Sequence, residues 1–271
     1  MPAAAVCALV PTTGHLAATL RSDPLTVAEP ADLHGVLDAL PDDAEHVLLV
    51  GEQRSEAAVR RAAAVVSDTG RRVAPVLLPH GPAAVVLLAR ETAHAGADAG
   101  QAPALVEALA DGAWSGAWVP GVNNLEDPAP SFGRYVTSLL PGGSGYVVTL
   151  AGSTRTILAA AKVPPASGSA RPMAGATPGE LPDVARRALL RAAAGQDLVP
   201  LDWLTVDVAG RFGHQRAVEV VALATDGRTA LAGLRPLAEP CRVCGAQRFA
   251  DTCPYCRVRP APLETVPGGS L

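Results

Sequence analysis

The chain has 271 residues, of which 49% are apolar but only 3% aromatic, so a sizeable core must be built mainly from Ala, Val and Leu. The formal net charge of −4 at pH 7 argues against a nucleic-acid or membrane footprint that extends over the whole protein. Lys162 is the only lysine among the 22 basic residues, and Ala, Gly, Pro and Val are abundant. This composition indicates a high-GC bacterial genome.

Residues 1–162 alternate short β-branched runs with amphipathic stretches, which predicts an α/β domain. The clearest unit is the apolar strand His46–Val50, a helix over Ser55–Ser67 and a second strand, Val73–Leu78. Two apolar strands that flank an amphipathic helix favour a parallel pair with a right-handed crossover. We therefore predict a three-layer α/β domain with a largely parallel sheet.

The other elements of this segment follow from the same two patterns. Further predicted strands are Val6–Val10, Val85–Ala89, Ala117–Val119 and Gly145–Leu150. Further predicted helices cover 31–40, 103–111 and 131–140. Cys7 lies in the first of these strands, and we expect a buried, unreactive thiol there.

Two segments follow the α/β domain. Residues 163–182 are dense in Pro, Gly, Ser and Ala and have no apolar period, which predicts a linker. Residues 183–238 are predicted to form a small α+β module that begins with a helix over Asp183–Ala194. Its predicted strands are Leu204–Val208, Ala217–Ala224 and Thr229–Leu234. Asp226-Gly227 has the sequence of a two-residue hairpin turn between the last two strands.

Four cysteines come next, in a CxxC-x8-CxxC pattern: Cys241, Cys244, Cys253 and Cys256. Each pair directs two sulfurs at one point, and two pairs supply the four soft ligands of a closed tetrahedral Zn²⁺ site. Gly245 permits a tight turn after the first pair because it has no Cβ. The block is too short to build an apolar core, so one structural Zn²⁺ is expected to supply most of its folding free energy. Two disulfides or an iron–sulfur cluster are the alternatives.

Residues 239–260 resemble the zinc-ribbon family, and the resemblance covers no other part of the chain. A tail over 261–271, rich in Pro and Gly, is predicted to be disordered.

Basic and aromatic residues are interleaved around the predicted metal site. The candidate partner-binding residues are Arg242, Arg248, Phe249, Tyr255 and Arg257. Docking of a protein partner is one interpretation of this surface. Phosphate neutralisation together with base stacking would suit single-stranded nucleic acid instead. A purely stabilising role, in which the rings cover the metal and the arginines solvate a small surface, is the third.

Two short segments that follow predicted strands are candidate anion sites. The candidate ligand-binding residues are Glu52, Ser55, Ser153, Thr154 and Arg155. A helix N-terminus can hold an anion at the carboxyl edge of a parallel sheet. Capping accounts equally well for the first two residues, and a hairpin turn accounts for the last three. Neither segment has a GxGxxG or GxxxxGK[ST] sequence, so neither nucleotide-binding fingerprint is met.

The sequence also bears on the compartment. The first ten residues lack the basic region of a signal peptide, and the longest compact apolar run, Ala83–Ala89, is far shorter than the ~20 residues of a membrane helix. We therefore predict a cytoplasmic protein with reduced thiols and no membrane partner.

The features above predict a cytoplasmic bacterial scaffold or adaptor whose structural zinc ribbon docks a protein partner. No catalytic constellation is recognisable, so an enzyme is the less favoured interpretation. It would be an α/β-domain enzyme acting on a phosphorylated or nucleotide-like ligand. A nucleic-acid-associated factor that uses the basic ribbon is the second alternative. Homo-oligomerisation is compatible with the sequence, but nothing in it indicates a homo-oligomer.

Overall fold

The structure is a computed structural model that describes residues 3–13, 23–140, 143–150, 155–166, 171–237 and 239–259. The strands in these ranges are β1 (Ala5–Leu9), β2 (Leu25–Ala28), β3 (His46–Glu52), β4 (Arg72–Leu78), β5 (Trp114–Val119), β6 (Tyr146–Thr149), β7 (Thr156–Ala159), β8 (Met173–Ala176), β9 (Val199–Pro200) and β10 (Val218–Leu223). The α-helices are α1 (Leu33–Ala39), α2 (Glu56–Asp68), α3 (Pro82–His94), α4 (Gln101–Gly112), α5 (Phe132–Ser138), α6 (Asp183–Ala193), α7 (Val208–Phe212) and α8 (Gly227–Gly233).

The first sheet is parallel throughout, with the strand order β2-β1-β3-β4. Strand β3 pairs with β4 across helix α2, as the apolar pattern of this unit predicts. All seven residues of β3 are buried, because helices cover both faces of the strand. The strand runs two residues beyond its predicted end and places Glu52 at the carboxyl edge of the sheet.

Alternation along the strands divides the core of this half into two clusters. Cys7 and Leu49 face α1 and α2, whereas their neighbours Ala8 and Leu48 face α3 and α4. Successive side chains of a strand point to opposite faces, so each strand contributes to both clusters. A mixed α/β fold with a parallel sheet is therefore confirmed. The Cys7 thiol is fully buried, and burial raises its pKa to about 11, as expected for an unreactive core cysteine.

The second sheet has the order β7-β6-β5-β10-β8-β9 and is antiparallel except for its β8–β9 pair. Strand β5 belongs to the predicted first domain, yet it pairs with β10 from the predicted module over 183–238. Strand β8 lies inside the segment predicted to be a linker, and it also pairs with β10. Gly175 and the small residues beside it fit under Leu201, so a composition typical of a linker here forms a buried strand.

Helix α3 lies between the two sheets and corrects the predicted strand Val85–Ala89. Eight of its residues are buried, on all sides of the helix, because it packs against both β1 and β10. Pro82 occupies the first turn, where the missing N–H costs nothing. An apolar run of this length does not distinguish a buried strand from a buried helix by periodicity alone, which is why the prediction was wrong.

Two further strand predictions near the end of the α+β segment are wrong. Thr229–Leu234 forms most of helix α8, whose N-cap Asp226 accepts a hydrogen bond from the Thr229 N–H. Asp-Gly thus begins a helix here, because the Asp carboxylate satisfies a free N–H of the first turn. Leu204–Val208 is also not a strand: its sole described ladder contact is the Thr12–Val206 bridge, and α7 begins at Val208.

The remaining helix predictions correspond to observed elements. The predictions for residues 31–40, 131–140 and 183–194 contain α1, α5 and α6, and the prediction for 103–111 lies within the longer α4. Strands β6 and β7 pair in antiparallel register, in agreement with the hairpin alternative for this segment. The predicted tail over 261–271 lies outside the described residues. Within those residues, no helix is long and apolar enough to cross a bilayer.

Candidate functional site

A line of ionic groups begins in the core at the carboxyl edge of the first sheet. Glu52 is only 1% exposed, and its Oε2 accepts a hydrogen bond of 2.9 Å from Nε of Arg211, which is itself 5% exposed. Helix α7 brings Arg211 to this position, because the N–H of its N-cap Asp207 bonds to the carbonyl of Pro11 beyond β1. The second half of the chain thus closes the carboxyl edge of the first sheet.

The line continues outward through Asp127. Arg211 donates to the Asp127 carbonyl at 2.7 Å and to its Oδ2 at 3.4 Å. The same Oδ2 accepts from Nη1 of Arg155, and the side chains of Arg155 and Asp127 are 30% and 35% exposed. Four groups, Glu52, Arg211, Asp127 and Arg155, therefore alternate in charge from the core to the surface. We call them the ionic line.

Glu52 is the least compensated member of the ionic line. Its Oε1 has no hydrogen-bond partner among the described residues, and Arg54 is 4.0 Å from its Oε2. Burial raises the pKa of Glu52, while the positive charges of Arg211 and Arg54 act in the opposite direction. A buried carboxylate with a free oxygen depends on its arginine partner for its ionisation.

A second buried carboxyl group, that of Glu219, lies at the beginning of α3. It is fully buried and accepts hydrogen bonds from the N–H groups of Ala83 and Ala84 at 3.1 and 3.3 Å. A Cβ at position 81 would overlap this carboxylate, so Gly81 is needed for the close approach. Burial raises the pKa of Glu219 to about 8, and the nearby Glu52 charge adds to the rise.

His80 and Ser115 form a buried polar pair behind this point. The His80 Nδ1 lies 2.9 Å from Ser115 Oγ, and its Nε2 lies 3.2 Å from the carbonyl of Ala110. A carbonyl only accepts, so Nε2 carries the proton and Nδ1 accepts from the serine hydroxyl. Burial lowers the pKa of His80 and keeps the ring neutral. Both side chains are at most 3% exposed and satisfied, so they connect α4 to β5 and do not form a nucleophilic site.

Helix α5 and the two residues after it carry an apolar stripe that faces solvent. The stripe, which we call the α5 stripe, consists of Phe132, Tyr135, Val136, Leu139 and Leu140. Their spacing is that of one helical face, and the exposed fractions run from 41% at Tyr135 to 82% at Phe132. No residue of α5 is buried. A helical face of this kind normally packs against a core, yet nothing in the described part of the chain covers it.

A shallow cavity of about 310 Å³ lies at the C-terminal end of α5. Thr137 and Leu140 line one side, and Tyr146 and Ala159 of the β6–β7 hairpin line the other. The hydroxyls of Thr137 and Tyr146 are 3.0 Å apart, which joins the helix to the hairpin. The α5 stripe, the cavity and the hairpin are therefore neighbours.

The four cysteines form a compact cluster that could hold a metal ion, since their sulfurs all lie within 4.8 Å of one another. Both CxxC turns have the same backbone geometry. Gly245 (φ +72) and Arg257 (φ +59) follow the pairs in the left-handed region, and their N–H groups bond to the carbonyls of Cys241 and Cys253 at 2.8 and 3.0 Å. This matches the prediction for Gly245, but the second turn places a non-glycine residue in the same conformation.

The segment that carries the cysteines, 239–259, packs on the amino edge of the first sheet. Tyr255 is 8% exposed, and its hydroxyl donates to the carbonyl of Ala99 at 2.7 Å. Its ring meets His46, the first residue of β3, edge to face at 5.0 Å between centroids. The Gln247 backbone approaches Gly100 so closely that a Cβ there would lie 2.7 Å from the Gln247 nitrogen. The predicted ribbon is thus packed into the fold.

The structure separates the predicted partner-binding residues. Tyr255 belongs to the core, and Arg248 is buried, with hydrogen bonds to the carbonyls of Glu239 and Asp251. Arg242 and Arg257 are exposed and Phe249 is half-buried. Two of the five side chains therefore stabilise the segment and are not available as a docking surface.

The predicted ligand-binding residues likewise do not come together in one site. Ser55 makes no capping hydrogen bond, and Glu52 does not cap the following turn either, because it pairs with Arg211. Ser153 and Thr154 lie outside the described residues. Arg155 reaches the surface beside Asp127.

Sequence reasoning missed Arg211, Asp127 and Glu219. Glu219 had a usable signal, since it is the one charged residue in the otherwise apolar run of β10. Arg211 had none, because its partner Glu52 is 159 residues away along the chain.

Comparison with known proteins finds matches to the fold but none to the sequence. No family model matches the chain, and no curated protein matches it in sequence. The solved structures that share the fold include a DegV family protein from Corynebacterium glutamicum, with a TM-score of 0.53 and 16% identity over 83% of this chain and 98% of that one. A fatty-acid-binding DegV family protein from Thermus thermophilus has a TM-score of 0.53, 13% identity and coverage of 83% and 100%. A DegV lipid-binding protein from Thermotoga maritima matches with the same TM-score and coverage at 10% identity.

These findings correct the predicted function. A scaffold or adaptor built around a zinc ribbon is contradicted, because the structures that share this fold over most of the chain are DegV family proteins, two of them described as lipid-binding or fatty-acid-binding. The zinc-ribbon identification gains no support from any family model, and what the structure contains is a four-cysteine cluster packed against the first sheet.

Proposed function

We propose that this protein binds a single-chain fatty acid, with the acyl chain against the α5 stripe and the carboxylate at Arg155. The observation that carries the proposal is the stripe itself, in which Phe132, Leu139 and Leu140 are each at least 60% exposed. The fold it shares with DegV family structures described as binding lipids supports the same conclusion.

The energetics favour an apolar ligand at α5. Burial of one large apolar side chain stabilises a complex by about 1.5–3 kcal/mol. A ligand that covers the five exposed residues of the stripe would therefore gain a large favourable binding free energy. An acyl chain is long, narrow and flexible, which suits a helical stripe better than a compact ligand would. The adjoining cavity, which Leu140 and Tyr146 line together with the polar residues Thr137 and Ser144, offers a further contact for its end.

Arg155 is the proposed contact for the carboxylate. It is partly exposed and already binds a carboxylate, that of Asp127, so its guanidinium is oriented for this class of group. Asp127 precedes Phe132 by five residues, which places the cationic end of the site at the entry to α5. The carboxylate of a fatty acid would share or replace the contact that Asp127 makes now.

A titration with the fluorescent fatty acid cis-parinaric acid tests the proposal. We expect saturable binding that Leu139→Ser/Leu140→Ser weakens at least tenfold, because two contacts of about 1 kcal/mol or more are lost. Val199→Ser is the matched control, since Val199 is 62% exposed on another part of the surface. Arg155→Ala should weaken binding of the acid but leave binding of the corresponding fatty alcohol unchanged.

Either of two results would reject the proposal. If the wild-type protein does not bind the fatty acid at micromolar concentrations, or if the control and the stripe variant lose affinity equally, the α5 stripe is not an acyl-chain site.

We further propose that the four cysteines hold one structural Zn²⁺. Two CxxC turns of matching geometry converge on one point, which supplies a complete set of four thiolate ligands and leaves no open position for catalysis. Metal analysis of the protein purified without chelator should give one zinc per chain. A Cys253→Ser variant should lose it, whereas Cys7→Ala should retain it. A metal-free wild-type protein that is fully folded would reject this proposal.

A further inference from the structure

The ionic line carries more positive than negative charge once its neighbour Arg54 is counted. Glu52 and Asp127 supply its two carboxylates, and Arg211 and Arg155 supply two guanidinium groups. The Nε atom of Arg54 lies 4.0 Å from Oε2 of Glu52 and adds a third guanidinium group. Three cations minus two anions leave a net charge of +1 on these five side chains. The charge of one further carboxylate would therefore be compensated here.

Two neighbouring acidic residues do not remove this excess of positive charge. The carboxyl group of Glu219 accepts hydrogen bonds from the N–H groups of Ala83 and Ala84. Burial raises the pKa of Glu219 to about 8, so this group is largely protonated at pH 7. Glu126 precedes Asp127 and is exposed, and within the described ranges no ion pair involves it. The excess is therefore present at neutral pH, where a carboxylic acid in water is ionised.

Asp127 has two arginine partners that differ in accessibility. Its Oδ2 accepts a hydrogen bond from Nη1 of Arg155, whose side chain is 30% exposed. The same oxygen lies 3.4 Å from Nη2 of Arg211, and the Asp127 carbonyl accepts from Nη1 of Arg211 at 2.7 Å. Arg211 is buried and held by Glu52 at 2.9 Å, so it cannot turn away. Asp127 therefore keeps a fixed cationic partner even when Arg155 contacts another carboxylate.

We propose that Asp127 is a specificity-determining residue that competes with the ligand carboxylate for Arg155. An ionised ligand can take over the Arg155 contact, while Arg211 continues to compensate Asp127. A ligand with a neutral head group gains nothing from Arg155 and leaves its pair with Asp127 intact. The inference rests on the proposed function and adds to it a residue that sets how strongly the site prefers acids.

Competition and orientation predict opposite effects of removing the Asp127 charge. If Asp127 only orients the guanidinium group of Arg155, its neutralisation weakens binding of an acid. If it competes, neutralisation strengthens that binding, because Nη1 of Arg155 becomes available. A ligand bound to another N–H of Arg155 gives the same sign, since two carboxylates on one guanidinium group repel each other. The second partner, Arg211, favours competition, because it compensates Asp127 after the exchange.

Titrations with cis-parinaric acid and with the corresponding alcohol test the proposal on the whole chain. Asp127→Asn keeps the size of the side chain and the backbone carbonyl that Arg211 binds, but it removes the charge. We expect it to tighten binding of the acid about fivefold, the upper range for a partly exposed ion pair, and to change binding of the alcohol less than twofold. Asp127→Ser should act in the same direction. Glu126→Gln removes an exposed charge next to the site and, as the matched control, should change acid binding less than about twofold.

A double-mutant cycle separates competition from a structural role of Asp127. In an Arg155→Ala background, Asp127→Asn should leave the affinity for the acid within about twofold, because no guanidinium group remains for the two carboxylates to share. A purely structural role would change the affinity equally in both backgrounds. Thermal unfolding monitored by circular dichroism checks that each variant is folded.

The results distinguish this inference from the proposed function. Weaker binding of the acid by folded Asp127→Asn would show that Asp127 orients Arg155, which overturns the inference and leaves the proposed function. An equal gain in Glu126→Gln would assign the effect to the general field and would also overturn it. Binding by Asp127→Asn at concentrations where the wild type binds too weakly to measure supports the competition. If neither protein binds the acid, the proposed function and the inference are both rejected.

Discussion

The two edges of the first sheet are closed by different chemistry. At the carboxyl edge, Arg211 of α7 pairs with buried Glu52, and the contact is ionic. At the amino edge, Tyr255 packs on His46 and Ala99 and belongs to the segment that contains the four-cysteine cluster. The same sheet is therefore closed by an ion pair at one edge and by apolar contacts next to a four-cysteine cluster at the other. The two edges should respond to different perturbations: the carboxyl edge to charge and pH, and the amino edge to removal of the proposed Zn²⁺.

The largest expected effect is at the amino edge. Cys253 is fully buried, and Cys253→Ser should release the proposed Zn²⁺ and detach the segment with Tyr255 and Ala246. We expect a loss of at least about 4 kcal/mol in the free energy of unfolding, because metal binding and core contacts are lost together. Urea unfolding of the variant and of Cys7→Ala measures the difference. Equal stability of wild type and Cys253→Ser would show that the cluster does not support this edge.

The next largest effect is at the carboxyl edge. Arg211→Ala leaves Glu52 buried without its partner and should cost about 3–5 kcal/mol. The double variant Glu52→Gln/Arg211→Met removes both charges and should recover much of that loss. Arg187→Ala, at an exposed position of α6, is the control and should change stability little. If the single and double variants are equally destabilised, the Glu52–Arg211 ion pair is not what holds this edge.

The response to pH should also distinguish the edges, with a smaller effect, because Glu219 lies near Glu52 of the carboxyl edge. The pKa of Glu219 in the folded protein is about 8, above the ordinary value of 4.5, so the folded state binds the extra proton. This contribution to stability is fully present below pH 4.5 and is lost as the pH rises towards 8. Between pH 6 and pH 8 the loss should be about 2 kcal/mol. Glu219→Gln should flatten that slope, and a variant that keeps the wild-type slope would contradict this assignment.

The smallest predicted effect is steric. Gly100→Ala would place a Cβ 2.7 Å from the Gln247 nitrogen, so the cysteine segment must shift, at a cost of about 1–2 kcal/mol. Gly133→Ala is the matched control on α5, because no atom lies within 4 Å of its added Cβ and Ala is the better helix former. Thermal melts of the two variants should therefore move in opposite directions. A Gly100→Ala protein as stable as wild type would mean that the cysteine segment tolerates displacement.

The sequence predicts local features well and long-range ones poorly. The βαβ unit over β3, α2 and β4 follows from apolar alternation, and the cysteine spacing predicts a cluster of sulfurs. The run at Val85–Ala89 is ambiguous because a buried helix and a buried strand are equally apolar. Asp226-Gly227 suits a hairpin and a helix N-cap alike, and only tertiary context decides between them.

The candidate sites show the same limit. The pattern of 131–140 predicts a helix correctly, but the pattern alone implies that its apolar face is covered, and the structure shows it exposed. Glu52 is recognisable as a residue at a strand end. Its pairing with Arg211 depends on how the second half of the chain folds over the first, which no local signal in either segment contains.

The hydrogen bond between Tyr255 and Ala99 has a consequence for biosynthesis. It joins residues 156 positions apart, and β10, which is central to the second sheet, is likewise made long after its partner β5. At about 5–20 residues per second, the ribosome needs several seconds or more to deliver these later pieces. During that interval the amino edge of the first sheet and the surface of α3 that faces the second sheet are open to water. The nascent chain therefore completes the core around its first sheet only after most of its length has been translated. Interrupted synthesis leaves a product that cellular proteases can recognise by its exposed apolar surface.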